Sequence, residues 1–227
     1  MAGIILGGNA SGRHIGVAPG SRWIAAKFWN DAGEATESEV HQIFQWFMDP
    51  DGNPETDDAP DVVNGSWQDA LFYVIPLCMP KYHNDVKAWC TAGIIPVFAA
   101  GNLGPIPPVF FGTIPATYPE SISVGATDFF DVIYFLSGRG PSTCDLGNFP
   151  DITAPGMGIG GESGTSFAAP HVTGTIALML NANPDLSVDE VESILKKTAK
   201  PLGFPHPNNK YGWGRVDALE AVKAVIP

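Results

Sequence analysis

The stretch "GESGTSFAAPHVTG", Gly161 to Gly174, sets a serine among small residues just ahead of the long apolar run "APHVTGTIALMLNA". A segment that is apolar almost all round reads as a buried helix, and Ser166 then stands at its amino end. There the serine's own backbone N–H points outward with the positive end of the helix dipole, a place where a developing oxyanion is stabilised. Gly164 and Ala168 keep the surroundings open. Pro170, read as part of the first helical turn, lacks an N–H that the turn would not use. A serine hydroxyl is a weak nucleophile that needs a base, usually histidine. By itself the Gly-Thr-Ser triplet is a common capped helix start.

Outward from this stretch, strands and helices alternate. "RWIAAKFW" (Arg22 to Trp29) reads as a short strand. "TESEVHQIFQWF" follows as a helix, with Thr36 and Glu39 at capping-box spacing and Val40, Ile43, Phe44 and Phe47 on one face. An acidic, proline-rich loop, Asp49 to Pro60, leads to "DVVNGSW" (Asp61 to Trp67), a buried strand by its β-branched residues. A helix is expected over Lys81 to Ala92, then an apolar strand in "GIIPVFAAGN". "SISVGAT" (Ser121 to Thr127) and "DITAPG" (Asp151 to Gly156) read as further strands. Ser187 and Glu190 form a second capping box before "VESILKKTA". The alternation implies an α/β fold with a largely parallel sheet covered on both faces. In such sheets the chemistry gathers at the carboxyl ends of strands.

Length and composition suit one domain over residues 1–227. Lys plus Arg total 12 against 24 for Asp plus Glu, a formal charge of −12. Nucleic acid and anionic membrane surfaces are therefore excluded as favoured partners. No run of about twenty apolar residues occurs, and "MAGIILGGNASG" lacks the basic region of a signal peptide. Cys78, Cys90 and Cys144 have no CxxC spacing, so buried free thiols are expected. The Asp49 to Asp61 loop has oxygen spacing reminiscent of a calcium loop at a few positions.

"GTSFAAPHVTG" resembles the nucleophile signature of the subtilisin-like serine proteases. "IIPVFAAGN" resembles the family segment whose final asparagine donates into the oxyanion hole, which implies that role for Asn102 beside Ser166. "DVVNGSW" resembles the edge lining the substrate cleft. The resemblance assigns substrate binding to Ser66, Trp67 and Gln68, and to Ala100 and Gly101 on the facing strand end. Gln68 stands where family members usually have glycine. "GVAPGSRWIAAK", "YPESISVGAT", "GRGPS", "DITAPG" and "NNKYGWGRVDALEAV" extend the likeness over nearly the whole chain and point to a bacillopeptidase F-like branch. The resemblance implies a three-layer α/β/α fold, peptide or small ester substrates, no required cofactor, a possible structural calcium and secretion.

Two parts of the pattern do not occur in these residues. The family's histidine motif, His-Gly-Thr-His-Val-Xaa-Gly, is represented by "MAGIILGG" at its tail alone, and no aspartate motif is found. His171 belongs to the serine signature and is expected to pack inward; His14, His41, His83 and His206 have no motif context. The family's aspartate strand would lie between the strands matching "RWIAAK" and "DVVNGSW". Without it, backbone in mid-sheet would go unpaired. The expectation is thus an N-terminally truncated fold that is rearranged, or completed by a homo-oligomer or a complementing N-terminal fragment. Two functions follow: a serine hydrolase built on Ser166, or an inactive form that binds extended peptides.

Overall fold

Alternating strands and helices are what the computed structural model contains; it describes residues 1–10, 12, 14–70, 78–104 and 113–226. In chain order these carry α1 (Ala2–Leu6), α2 (Glu37–Trp46), β1 (Val62–Gly65), β2 (Asp69–Ala70), α3 (His83–Thr91), β3 (Ile95–Ala99) and β4 (Thr113–Ile114). There follow β5 (Ile122–Thr127), β6 (Gly140–Pro141), β7 (Asn148–Phe149), β8 (Ile152–Pro155), β9 (Met157–Ile159) and β10 (Glu162–Ser163). Three helices close the chain: α4 (Thr165–Ala182), α5 (Val188–Thr198) and α6 (Ala218–Lys223).

The main sheet has the order β1-β3-β5-β8, and every neighbouring pair is parallel, with Val62 opposite Ile95, Val97 opposite Ile122 and Val124 opposite Ile152. Side chains alternate across it. Ile95, Val97, Ala99, Val124 and Ala126 meet Ala168, Val172 and Ile176 of α4 and Val191 and Leu195 of α5. On the other face Val63, Phe98 and Ala100 meet Val40 and Phe44 of α2 and Val86 and Trp89 of α3. Helices on both faces of a parallel sheet make the three-layer α/β/α arrangement.

Both capping boxes form: Thr36 with Glu39 and Ser187 with Glu190 each exchange side-chain-to-backbone bonds. At the amino end, α1 packs on α4, and the chain after it returns through bonds from Val17 N to Ile4 O and Ala18 N to Ile5 O. Gly174 makes this approach possible, because a Cβ there would sit 2.6 Å from Val17 Cβ.

Two expectations need correction. Residues 22–29 form no strand; a strand needs a ladder partner, and this segment has none among the described residues. Trp23, Ile24 and Trp29 are exposed, while Phe28 packs against Trp67, with ring centroids 5.4 Å apart. The flanking segments therefore do not pair directly, and among the described residues β1 is an edge of the main sheet. The second correction concerns the thiols. Cys78 and Cys144 are joined by a disulfide with an S–S distance of 2.13 Å. They stand 66 residues apart in sequence, so only the folded chain reveals the pair. Cys90 is the free thiol, its pKa pushed up to about 11 by burial.

Candidate active site

Ser166 is the second residue of α4, beyond the N-cap Gly164. Its Oγ donates to the carbonyl oxygen of Ser66 at 3.1 Å, and Ser66 Oγ donates back to the Ser166 carbonyl at 3.0 Å. The second bond has a local cause. Pro170 lies in the second turn of α4, not the first. Four residues after Ser166, it lacks the N–H that would otherwise bond that carbonyl. The Ser166 oxygen is thereby left for Ser66, and the helix start is fastened to the chain leaving β1.

Ser66 is held in turn by Asn64, whose Nδ2 donates to Ser66 Oγ at 2.8 Å while its Oδ1 accepts from Thr173 of α4 at 3.2 Å. Asn102, at the carboxyl end of β3, accepts at Oδ1 from the Thr165 amide at 2.9 Å and from Thr165 Oγ1 at 3.2 Å. That orientation sends Nδ2 away from Thr165, and the amide has no acceptor among the described residues. The Ser166 N–H likewise has none there. Two donors, one from a side chain and one from a helix amino end, are left free beside the nucleophile candidate.

The remaining cleft residues are placed as follows. Gly101 has φ of 93° and donates its N–H to Thr165 Oγ1 at 3.1 Å; its carbonyl accepts from Gly138 N. Ala100 is fully buried, its amide bonded to Val124 O and its carbonyl to Thr113 Oγ1. The main-chain groups of both residues are thus spent inside the protein. Gln68 Oε1 accepts from Asn102 N at 3.2 Å, so the glutamine side chain braces the chain leaving β3. Trp67 is half-buried and packs edge-on to Tyr82 and Phe98.

Sequence reasoning missed Thr165 and Asn64, which hold Asn102, Gly101 and Ser66 in place. Thr165 is the nearer to hand, as it directly precedes Ser166.

No histidine is hydrogen-bonded to Ser166 among the described residues. His171 Nδ1 lies 2.9 Å from Phe167 O, and burial pushes its pKa down. His41 pairs with Asp85 and His83 with Glu120, at 2.8 and 2.7 Å; His206 contacts Trp213 O, and His14 is exposed.

Within the acidic loop, carboxylate oxygens of Asp49, Asp51 and Asp58 lie within 4.8 Å of one another. Asp49 Oδ1 is buried with no hydrogen-bond partner, a costly state for a carboxylate unless a cation or water meets it. A hard, oxygen-seeking ion such as calcium fits this donor set.

Residues 1–214 match the Subtilase family. The chain is 41% identical to bacillopeptidase F of Bacillus subtilis (strain 168), over 99% of its own length and 17% of that protein. It is 32% identical to serine protease AprX of the same organism, covering 95% of the chain and 54% of AprX. With subtilisin Savinase of Lederbergia lenta the identity is 30%, over 98% of the chain and 76% of Savinase. The chain thus spans about a sixth of the first relative, about half of the second and three quarters of the third. Motifs, sheet topology and these likenesses agree, and the chain belongs to the subtilase family.

Proposed function

We propose that this chain is a serine hydrolase domain acting on peptide or small ester substrates. Ser166 is the nucleophile, and the Ser166 N–H and Asn102 Nδ2 receive the oxyanion. The observation that carries this reading is the pair of unused donors beside Ser166, held there by Thr165 and Ser66. Ser66, Trp67 and Gln68 form one wall of the substrate cleft, and Ala100 and Gly101 shape the facing wall by their packing.

The general base comes from outside the described residues, from a complementing N-terminal segment or a second copy along the outer edge of β1. Until it docks, the Ser166 hydroxyl stays protonated and donates its hydrogen bond to the Ser66 carbonyl, which is too weakly basic to take the proton. The oxyanion donors alone leave about 10³ to 10⁴ over water in a triad enzyme. Activated esters, with better leaving groups, are then cut in preference to peptide bonds. The edge of β1, unpaired among the described residues, supports a second reading, in which an extended peptide adds to the sheet without being cleaved.

A calcium ion held by Asp49, Asp51 and Asp58 would stabilise the loop without entering the chemistry. The disulfide suits an oxidising compartment and so supports secretion. The test is turnover of p-nitrophenyl acetate: Ser166→Ala should abolish it, and equal rates for the two proteins would contradict the nucleophile.

A further inference from the structure

Away from Ser166, a cavity of about 490 Å³ opens between the loop before β6 and the loop before α6, lined by Arg139, Gly203, Phe204, Asn208, Lys210 and Tyr211 among others. In a chain of formal charge −12, two cations line this cavity. Nearby cations are paired, Lys200 and Arg215 with Asp131. Arg139 and Lys210 have no carboxylate partner among the described residues, and the masked positions supply no Asp or Glu side chain. The Arg139 guanidinium makes one bond, from Nη2 to Phe135 O at 3.1 Å. Most of its five donors are left over. Partial burial pushes its pKa down, against a smaller opposing pull from Tyr211.

The surrounding frame is fixed. The Asn208 side chain is consumed internally, donating to Leu202 O and Pro205 O and accepting from Lys210 N and Tyr211 N. Gly140 N bonds Asn209 O and ties the two loops together. Tyr211 is buried, its hydroxyl accepts from Ile133 N, and Lys210 Nζ lies 5.1 Å from its ring centroid. On the rim Phe204 is 98% exposed. The site therefore offers a planar donor fork, a second positive charge and an uncovered aromatic face.

We propose that this cavity binds a carboxylate carried on an apolar body, the chemistry of a peptide's carboxyl terminus. The guanidinium fork takes the carboxylate in two parallel hydrogen bonds, Lys210 adds its charge, and Phe204 covers the apolar part. Nothing in this depends on the serine chemistry.

The probe is N-acetyl-phenylalanine, titrated calorimetrically into the whole chain, with its carboxamide and sulfate as comparisons. Saturable binding of the acid in the millimolar range is expected, with binding by the carboxamide at least about tenfold weaker, because a charge-assisted bond is lost. Arg139→Met should weaken the acid by a similar factor and Lys210→Met by less, with unfolding melts showing that both stay folded. Arg139→Lys keeps the charge without the fork and should also lose most of the affinity. Equal binding of acid and carboxamide, undiminished binding by folded Arg139→Met, or sulfate binding as tightly as the acid would overturn the proposal.

Discussion

Ser66 and Ser166 hold each other through two hydrogen bonds running in opposite directions, at 3.0 and 3.1 Å. One fixes the helix start against the chain leaving β1; the other aims the Ser166 hydroxyl hydrogen at a carbonyl. Pro170 permits the first by withholding the amide that would compete for it. The Ser66–Ser166 pair is thus fixed without any histidine bonded to it among the described residues.

Ser66→Ala should cost about 1 kcal/mol, the net worth of an ordinary hydrogen bond, and Pro170→Ala in the same background should restore much of it by returning a helix amide to the Ser166 carbonyl. Urea unfolding of the two single variants and the double variant measures the coupling. Strict additivity would show that the proline does not act through this carbonyl.

Asn102→Ala should lower ester turnover by about 10² to 10³ while Ser166 remains reactive, as expected for removal of one oxyanion donor. Thr165→Val should produce a smaller loss, because it removes one of the two hydrogen bonds that orient the amide. A rate in Asn102→Ala equal to the parent's would remove Asn102 from the chemistry.

Much of this architecture was legible in the sequence, and the reasons differ by element. Capping boxes at Thr36 and Ser187 and the apolar run after Ser166 are local signals, and they placed α2, α5 and α4 within a few residues. Arg22 to Trp29 failed because a strand is completed by a neighbour, and alternation of residues says nothing about whether one is present. Cys78 and Cys144 failed for a related reason: their closeness, with Cα atoms 4.4 Å apart, is made by packing across 66 residues of chain. Ser166 and Asn102 are singled out in the sequence by their motifs, and the fold brings them together, whereas Asn64 and Thr165 carry no motif weight and emerge only as hydrogen-bond partners.

Closing a 66-residue separation, the disulfide should contribute about 4 kcal/mol by restricting the unfolded chain. Cys78→Ser with Cys144→Ser should lower the urea midpoint, and dithiothreitol should do the same to the parent and nothing to the double variant. An unchanged midpoint would show that the bridge is idle.

Calcium at 100 times its dissociation constant should raise stability by about 2.7 kcal/mol, read as a higher Tm against chelator-treated protein. Asp49→Asn should abolish that increment. A Tm indifferent to calcium would assign the acidic loop to solvation alone.

His171 links stability to pH. Its folded pKa lies below the ordinary histidine value because burial disfavours the imidazolium. The unfolded chain therefore binds the proton more readily, so the contribution is present above pH ~6.5 and is lost as pH falls from there through the folded pKa. Unfolding melts between pH 7.5 and about 5 should show this decline, and His171→Gln should flatten it. A decline of the same size in the variant would assign it to other groups.

The central claim is that Ser166 is a nucleophile at a preformed oxyanion site. A fluorophosphonate probe followed by peptide mass spectrometry tests it most directly. The account predicts a slow, single covalent adduct on Ser166, absent from Ser166→Ala and slower in Asn102→Ala. A folded protein that never labels at Ser166, or that labels equally after Ser166→Ala, would contradict it.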